Sequence, residues 1–407
     1  MFPLTSSTKK IGAVILLSLL PILLVYAPFA LHLKHFYFID LKDSGLQQIY
    51  KNWDGPNYVL NAITQFDPIE IGKRAFMQRP NEYYAAHFPI YSWLIAPIGK
   101  LIGYFPAALV INLLSNMLLN IVFYLWIKQY SKHPLWLTFV LTVFPPRYWI
   151  VRSVISPEML VGALILTALW KWERGYYFRA GLLALLAVMT KFQAIILMPV
   201  FFVTSLVQIA PLISHATCDW RAQFRTRFSL GMFFAILGPA IGYLIVGLYY
   251  QSTLGTFNAY FQAQAIVGMG ASYPFGMFNY AARWIQTGWL EHTALYLVAL
   301  FILVGKLWTH TFGKNGQITA SDKNSHSPHP IYLIFTVLYT LMLCLIPQID
   351  IMRLALPLAP LFIMAFHDFF ESKPFRIGLI LSLPMLYLYV LNFIMSNQAP
   401  ISDWALF

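Results

Sequence analysis

Apolar residues along this chain come in blocks of about twenty, separated by short polar connectors, with no alternation of period two. The blocks lie near 11–33, 106–127, 134–152, 157–173, 178–190, 193–209, 228–250, 290–308, 331–347, 353–368 and 376–395. Lipid offers backbone groups no hydrogen bonds, so blocks of this length predict membrane helices, and the missing alternation excludes a barrel. One polar interval is much longer than the rest, the stretch 34–105 after the first block. Its end, 87–105, is apolar enough to resemble a span, but counting it as one inverts every connection downstream. It is read instead as a helix lying on or dipping into the outer interface, with Lys100 snorkelling. The expectation is an all-α polytopic membrane protein of one domain, 1–407, with about eleven spans. A first outer loop, 34–105, carries interfacial helices, and a second spans 251–290.

Composition agrees with that reading. The chain is 59% hydrophobic and only 10% charged, and its mean hydropathy is +0.64. No soluble domain of this size hides so much apolar surface. The first apolar block is too long for a typical signal peptide and lacks a small-residue cleavage site, so it is read as a retained span. The formal net charge of +12 looks at first like a nucleic-acid footprint, but its distribution argues for topology. With Lys9 and Lys10 inside, Lys and Arg fall on every cytoplasmic connection, among them Lys128, Lys132, Arg174, Arg179, Arg221, Arg225, Arg227, Lys306, Lys373 and Arg376, as the positive-inside rule requires. Nucleic acid is therefore not an expected partner, and membrane lipids are. The expected setting is the cell membrane of a prokaryote or the endoplasmic reticulum of a eukaryote, with the N-terminus cytoplasmic. Cys218 and Cys344 are too far apart in sequence to suggest a disulfide or a metal site.

A chain with so few ionisable groups shows its chemistry by where it keeps them. On the outer face Asp54 lies in the first loop, Arg147, Arg152 and Glu158 flank the end of the third block, Lys191 sits at a hinge between two short blocks, and Asp350 and Arg353 open the tenth. Each cation alone has a second reading as a headgroup anchor. Four of them from three regions on the less basic face point to a shared anionic ligand, and a lipid-linked phosphate fits. Pro145-Pro146 before Arg147 and Pro157 after Ser156 predict broken helices there, tolerated at membrane depth where backbone lines protein or a wet cavity. The aromatic and amide residues of the second outer loop, including Tyr260, Phe261, Gln264, Tyr273, Tyr280 and Trp284, suit either a sugar or an interfacial belt. No phosphate-binding glycine loop and no metal-ligand spacing is present, so no cofactor and no metal are expected.

Several short runs carry a resemblance. Trp53-Asp54-Gly55-x-x-Tyr58 resembles the W-D-x-x-H-[FY] segment of the GPI mannosyltransferase 2 family, in the GT-C superfamily of polyprenyl-phosphate-sugar glycosyltransferases, with Asn57 in place of His. His87-Phe88-Pro89-Ile90-Tyr91 resembles the family's F-F-P-x-[YF], with His for the first Phe. Phe144-Pro145-Pro146 followed by Ser156-Pro157-Glu158 is similar to an F-P … [YS]-x-E element. Thr190-Lys191 stands where the family has Thr-Arg, and Gly255 to Gln264 echoes a G-D-P … F-x-x-A-Q stretch.

The resemblance implies a GT-C-type fold and an inverting transfer of a sugar, mannose, from a polyprenyl-phosphate donor to a lipid-linked or glycoconjugate acceptor at the outer face. It gives Asp54 the role of catalytic base, Glu158 the second acidic position and Lys191 the donor phosphate. Arg353, with Arg152 or Arg147, joins that phosphate by placement. Trp53, Tyr58, His87, Tyr91 and Gln264 are the expected substrate contacts, with the interfacial anchor a second reading for Trp53 and a structural hydrogen bond for His87. A transporter or flippase of lipid-linked sugars is the non-enzymatic alternative, and a non-catalytic subunit of a glycosylation complex is another.

Overall fold

The computed structural model describes residues 6–43, 45–77, 79–214, 229–268, 273–279, 287–312, 328–348 and 350–407. Cys218, Arg221, Arg225, Arg227, Tyr280 and Trp284 lie outside them. In chain order the helices are α1 (Ser6–Ala30), α2 (Gln47–Tyr50), α3 (Gly55–Thr64), α4 (Pro68–Arg74), α5 (Pro89–Ile102), α6 (Tyr104–Ile127), α7 (Pro134–Val143), α8 (Pro146–Ser153), α9 (Glu158–Glu173) and α10 (Tyr177–Thr190). They continue as α11 (Leu197–Ser214), α12 (Leu230–Leu254), α13 (Ala259–Ile266), α14 (Thr287–Phe312), α15 (Pro330–Cys344), α16 (Ile351–Leu354), α17 (Ala359–Ala365), α18 (His367–Glu371) and α19 (Lys373–Ser396). A two-stranded antiparallel hairpin, β1 (His35–Phe36) and β2 (Ile39–Asp40), follows α1. Single 3-10 turns occupy Asn81–Ala86 and Phe192–Ile196.

Prolines and caps set many of these boundaries. Proline occupies the first turn of α3, α4, α5, α7, α8 and α15, where its missing N–H costs nothing. Asp67 caps α4 by accepting from the amides of Ile69 (2.8 Å) and Glu70 (3.3 Å), and Ser372 caps α19 through the amide of Phe375.

Among the described residues five helices are long and apolar enough to cross a membrane: Thr8–Ala30, Tyr104–Ile127, Leu230–Leu254, Trp289–Phe312 and Lys373–Ser396. They are the helices of a multi-pass membrane protein. The expected count of eleven is not confirmed: the remaining apolar blocks form shorter or broken helices. The block 134–152 is two helices, α7 and α8, parted at Phe144-Pro145. Together α8 and α9 make a pair bent by 115°. The block 353–368 is divided among α16, a 3-10 turn, α17 and α18, around Pro357 and Pro360. At about 1.5 Å per residue, pieces of 10–17 residues fall short of a hydrocarbon core about 30 Å thick. α5, in the region read as interfacial, is one of these short pieces, with 14 residues. It turns into α6 at Gly103, whose φ of +89° is open to glycine and strained for other residues.

The chain divides into two compact units. The first comprises 1–163, 246–267 and 366–407, and the second 164–245 and 268–365. In the first, α1, α6, α7 and α8 pack together, α3 and α5 lie against α6, and α13 packs on the 3-10 turn at Asn81–Ala86. The C-terminal segment closes on the first loop of the same unit. Asn52 bridges Gln398, the amide of Ala399 donates to the Lys51 carbonyl, and Arg74 donates to the Leu406 carbonyl.

In the second unit α10 and α12 meet through glycine. A Cβ on Gly238 would lie 2.5 Å from the Gly181 carbonyl oxygen, and one on Gly242 would lie 2.6 Å from that of Leu185. Gly238 and Gly242 thus form the small-xxx-small contact of close membrane helices.

Candidate functional site

Asp54 stands at the N-terminal end of α3, and its carboxylate does not cap that helix. Trp53 before it takes a left-handed backbone, φ +45°, which turns the chain sharply into α3. The carboxylate is 39% exposed, and one oxygen lies 3.7 Å from Nε2 of His87, whose side chain is only 7% exposed. Asn57, one helical turn after Asp54, places Nδ2 3.4 Å from the same Nε2. The imidazole is enclosed edge-to-face by the rings of Tyr58 (centroids 5.0 Å apart) and Tyr83 (5.9 Å). Burial, and then the neighbouring Asp54 carboxylate, pushes the Tyr83 phenol above its ordinary range, so it stays protonated at neutral pH.

Glu158 is buried in the first turn of α9, where the helix dipole favours an anion. Ser156 donates to it at 2.5 Å. The amide of Ser156 in turn donates to the Tyr91 oxygen at 3.3 Å, and the Tyr91 ring packs 5.2 Å from that of Tyr58. Two acidic positions about a hundred residues apart in sequence are therefore linked within one unit, through Ser156, Tyr91, Tyr58 and His87. Gly55 permits the approach: a Cβ there would lie 3.0 Å from Cβ of Ile155.

The cations separate. Arg147, in the first turn of α8, lies over the rings of Phe393 (4.6 Å) and Trp53 (5.6 Å), and Trp53 packs 5.2 Å from Phe393. Arg147 is thus beside the Asp54 loop, and Trp53 is held in an aromatic-cation stack. Arg152 is elsewhere. It is 0% exposed, and its guanidinium donates to Oδ1 of Asn116 (3.0 Å) and Oδ1 of Asn120 (2.7 Å). Its own carbonyl accepts from Asn112 (2.7 Å) and Asn116 (3.2 Å). Asn120 continues to Ser18 and Thr142. Among the described residues no carboxylate reaches Arg152, and its buried guanidinium is committed to two carboxamides, which leaves it closed to the surface.

Lys191 and Arg353 belong to the second unit. Lys191 is the half-buried break between α10 and the 3-10 turn Phe192–Ile196. That turn packs on α15. Arg353 is buried in α16, which is tied to α15 where Tyr339 donates to the Leu354 carbonyl at 2.8 Å. Gln264 is half-buried on α13 of the first unit, the helix that packs on the turn carrying Tyr83.

Two groups escaped the sequence reading. Tyr83 carries no local signal. Asn112, Asn116 and Asn120 do, since three carboxamides at a four-residue spacing fall on one helix face and mark a polar stripe in an otherwise apolar span. Among the described residues no group of three His, Cys, Asp or Glu side chains could hold a metal ion.

An apolar crevice of about 630 Å³ opens in the same unit between α1, α7, α8 and α19, lined by Pro21, Leu24, Pro28, Phe139, Trp149, Leu383 and Tyr387 among others. Pro28 lacks the N–H that would pair the Leu24 carbonyl, and Tyr387 supplies the donor at 2.9 Å. Trp149 donates to the Pro21 carbonyl at 3.2 Å. Thus α8 walls the crevice with Trp149 and reaches the Asp54 loop with Arg147.

No protein-family model matches the chain, and neither does any curated protein. Among solved structures it is similar to the Archaeoglobus fulgidus oligosaccharyltransferase, at a TM-score of 0.43 and 14% identity over 95% of this chain and 54% of that one. The chain spans about half the length of that protein.

Proposed function

We propose that this chain is an inverting glycosyltransferase of the GT-C type, which moves a sugar, mannose by the sequence resemblance, from a polyprenyl-phosphate donor to a lipid-linked or glycoconjugate acceptor at the outer face of the membrane. The observation that carries the reading is the pairing of a half-exposed carboxylate at Asp54 with a buried second carboxylate at Glu158 inside one packed unit. The exposed part of the Asp54 carboxylate would take the proton of a substrate hydroxyl. Arg147 adds a cation beside it, and the apolar crevice along α8 suits a substrate carried on a hydrocarbon chain.

In the reaction the acceptor oxygen attacks the anomeric carbon opposite the phosphate. The new carbon–oxygen bond forms as the carbon–phosphate-oxygen bond breaks, and its electron pair leaves with the polyprenyl phosphate. The hydroxyl proton passes to Asp54 and then to solvent. Arg147, stacked on Trp53 beside Asp54, would stabilise the departing phosphate. Lys191 and Arg353 are assigned to donor phosphate by sequence alone. Glu158 holds Ser156 and, through it, Tyr91, which lines the path to Tyr58.

The test is Asp54→Asn in the full chain in proteoliposomes, with labelled polyprenyl-phosphate mannose and a glycolipid extract as acceptor. Transfer should fall by about 10²–10⁴-fold, the range of a lost general base, with the thermal unfolding midpoint unchanged. Turnover near the wild-type rate removes Asp54 from the chemistry.

A further inference from the structure

We infer that His87 is a positioning residue for Asp54, and that its Nε2–H holds the carboxylate in the orientation and charge state that takes the acceptor proton. The inference rests on the glycosyltransferase reading and adds to it a residue so far given only a substrate contact.

Three features of the pair carry it. The contact is asymmetric: the carboxylate is 39% exposed, whereas the imidazole is 7% exposed. A substrate can reach Asp54 from the open side but meets little of His87. The ring is also locked, with Tyr58 and Tyr83 against its faces and edges and its backbone carbonyl accepting from Asn61. Nε2 therefore points at Asp54 without spending rotamer freedom.

The third feature is what Nε2 faces. The Asp54 carboxylate oxygen lies 3.7 Å away; a proton on Nε2 puts an N–H against that anion, whereas a proton on Nδ1 leaves a lone pair facing it. Asn57 Nδ2 lies 3.4 Å from the same nitrogen, and turning that carboxamide to present Oδ1 exchanges one buried, unpartnered Asn57 atom for the other, so the carboxylate decides the tautomer.

The other titratable groups around the ring do not compete for this role. Tyr83 is kept protonated by burial and by Asp54 itself. Arg79 lies over the Tyr83 ring, at 5.8 Å. Tyr84 is buried, its phenol pushed up to about 12 by burial. Tyr58 presents its ring edge, and Tyr91 and Glu158 stand one ring further away, beyond Tyr58. Tyr260 on α13 packs on Phe88.

The test uses the full chain in proteoliposomes with labelled polyprenyl-phosphate mannose and a glycolipid extract, and measures kcat and the donor KM against pH for His87→Phe and His87→Gln. Phenylalanine keeps the ring packing and removes the donor; glutamine restores an N–H at about the reach of Nε2. H87F should lower kcat roughly 10- to 100-fold with the donor KM little changed. The acid limb of its kcat profile should move to higher pH by about one unit, since a carboxylate that loses a donor binds its proton more tightly. H87Q should recover most of both. An H87F protein with the wild-type kcat and acid limb overturns the inference and leaves the glycosyltransferase reading standing. A wild-type protein that transfers no sugar overturns that reading and this inference with it. If H87F unfolds at lower temperature, the H87Q profile decides alone: a rate as low as that of D54N counts against positioning through Nε2.

Discussion

Asp54 and Arg152 look alike in the sequence, two charged side chains assigned to the outer membrane boundary, but the structure treats them differently. Asp54 keeps 39% of its side chain open and is surrounded by an imidazole, a carboxamide and a phenol. Arg152 is 0% exposed and is surrounded by the carboxamides of Asn116 and Asn120, with the Tyr148 ring 5.0 Å from its guanidinium. An ionisable group in a membrane protein is expensive in either setting. The Arg152 network offsets that cost by closing on itself, and what it yields is rigidity between α6 and α8. The Asp54 site leaves a face open, and on the proposed reading that face is where the acceptor hydroxyl is deprotonated.

Exchanging the two behaviours tests this. The largest expected effect is the loss of transfer in D54N with the fold intact, which is equivalent to about 3–5 kcal/mol on the barrier by rate. Next is Asn120→Leu. It leaves the buried guanidinium short of an acceptor, and a buried charge stripped of a partner costs roughly 3–5 kcal/mol. The readout is the unfolding midpoint in detergent, together with folded yield. Arg152→Met should cost less, about 1–3 kcal/mol, because it leaves only neutral carboxamide oxygens unpaired. If R152M proves worse than N120L and also raises the donor KM, then Arg152 binds substrate and the contrast drawn here is wrong.

Much of this was visible in the sequence for identifiable reasons. The helical membrane class followed from block length, and the proposed site loop was singled out because Asp54 is one of few acids. The breaks at Pro145-Pro146 and Pro157 were signalled by proline itself. The number of full spans was not readable, because hydropathy sums over a window and does not register that 134–152 is two helices or that 353–368 is several. The partners of Asp54 were only half readable. Asn57 follows it by one turn, so the sequence places both on one face. Tyr83 reaches the site through a 3-10 turn whose direction no periodicity encodes. The burial of Arg152 depends on α6 presenting Asn116 and Asn120 at the height of α8, a packing register that neither helix specifies alone.

Gly55 offers the smallest and most local test, because it lies between the two acidic segments. Its backbone φ is not of the kind that demands glycine; what it lacks is room. An added methyl would meet Ile155 Cβ at 3.0 Å, the Tyr50 carbonyl oxygen at 3.3 Å and the Ile155 carbonyl oxygen at 3.4 Å. None of these is the far end of a flexible side chain, so α3 and the 154–157 segment must part by a few tenths of an ångström. Gly55→Ala should therefore cost about 1–3 kcal/mol through overpacking. A better helix former is introduced in the first turn, which returns at most about 1 kcal/mol. The shift acts along the line that joins Asp54 to Ser156 and Glu158, so kcat should fall more than the loss of folded protein explains. Ile155→Val in the same chain removes one methyl and keeps Cβ, so it leaves the closest contact in place and should rescue little; Ile155→Gly removes that Cβ and should restore kcat even as it lowers stability. If G55A alone turns over at the wild-type rate per folded molecule, the spacing between the two acidic segments does not matter to the chemistry, and Glu158 belongs with Arg152 among the supports rather than with Asp54.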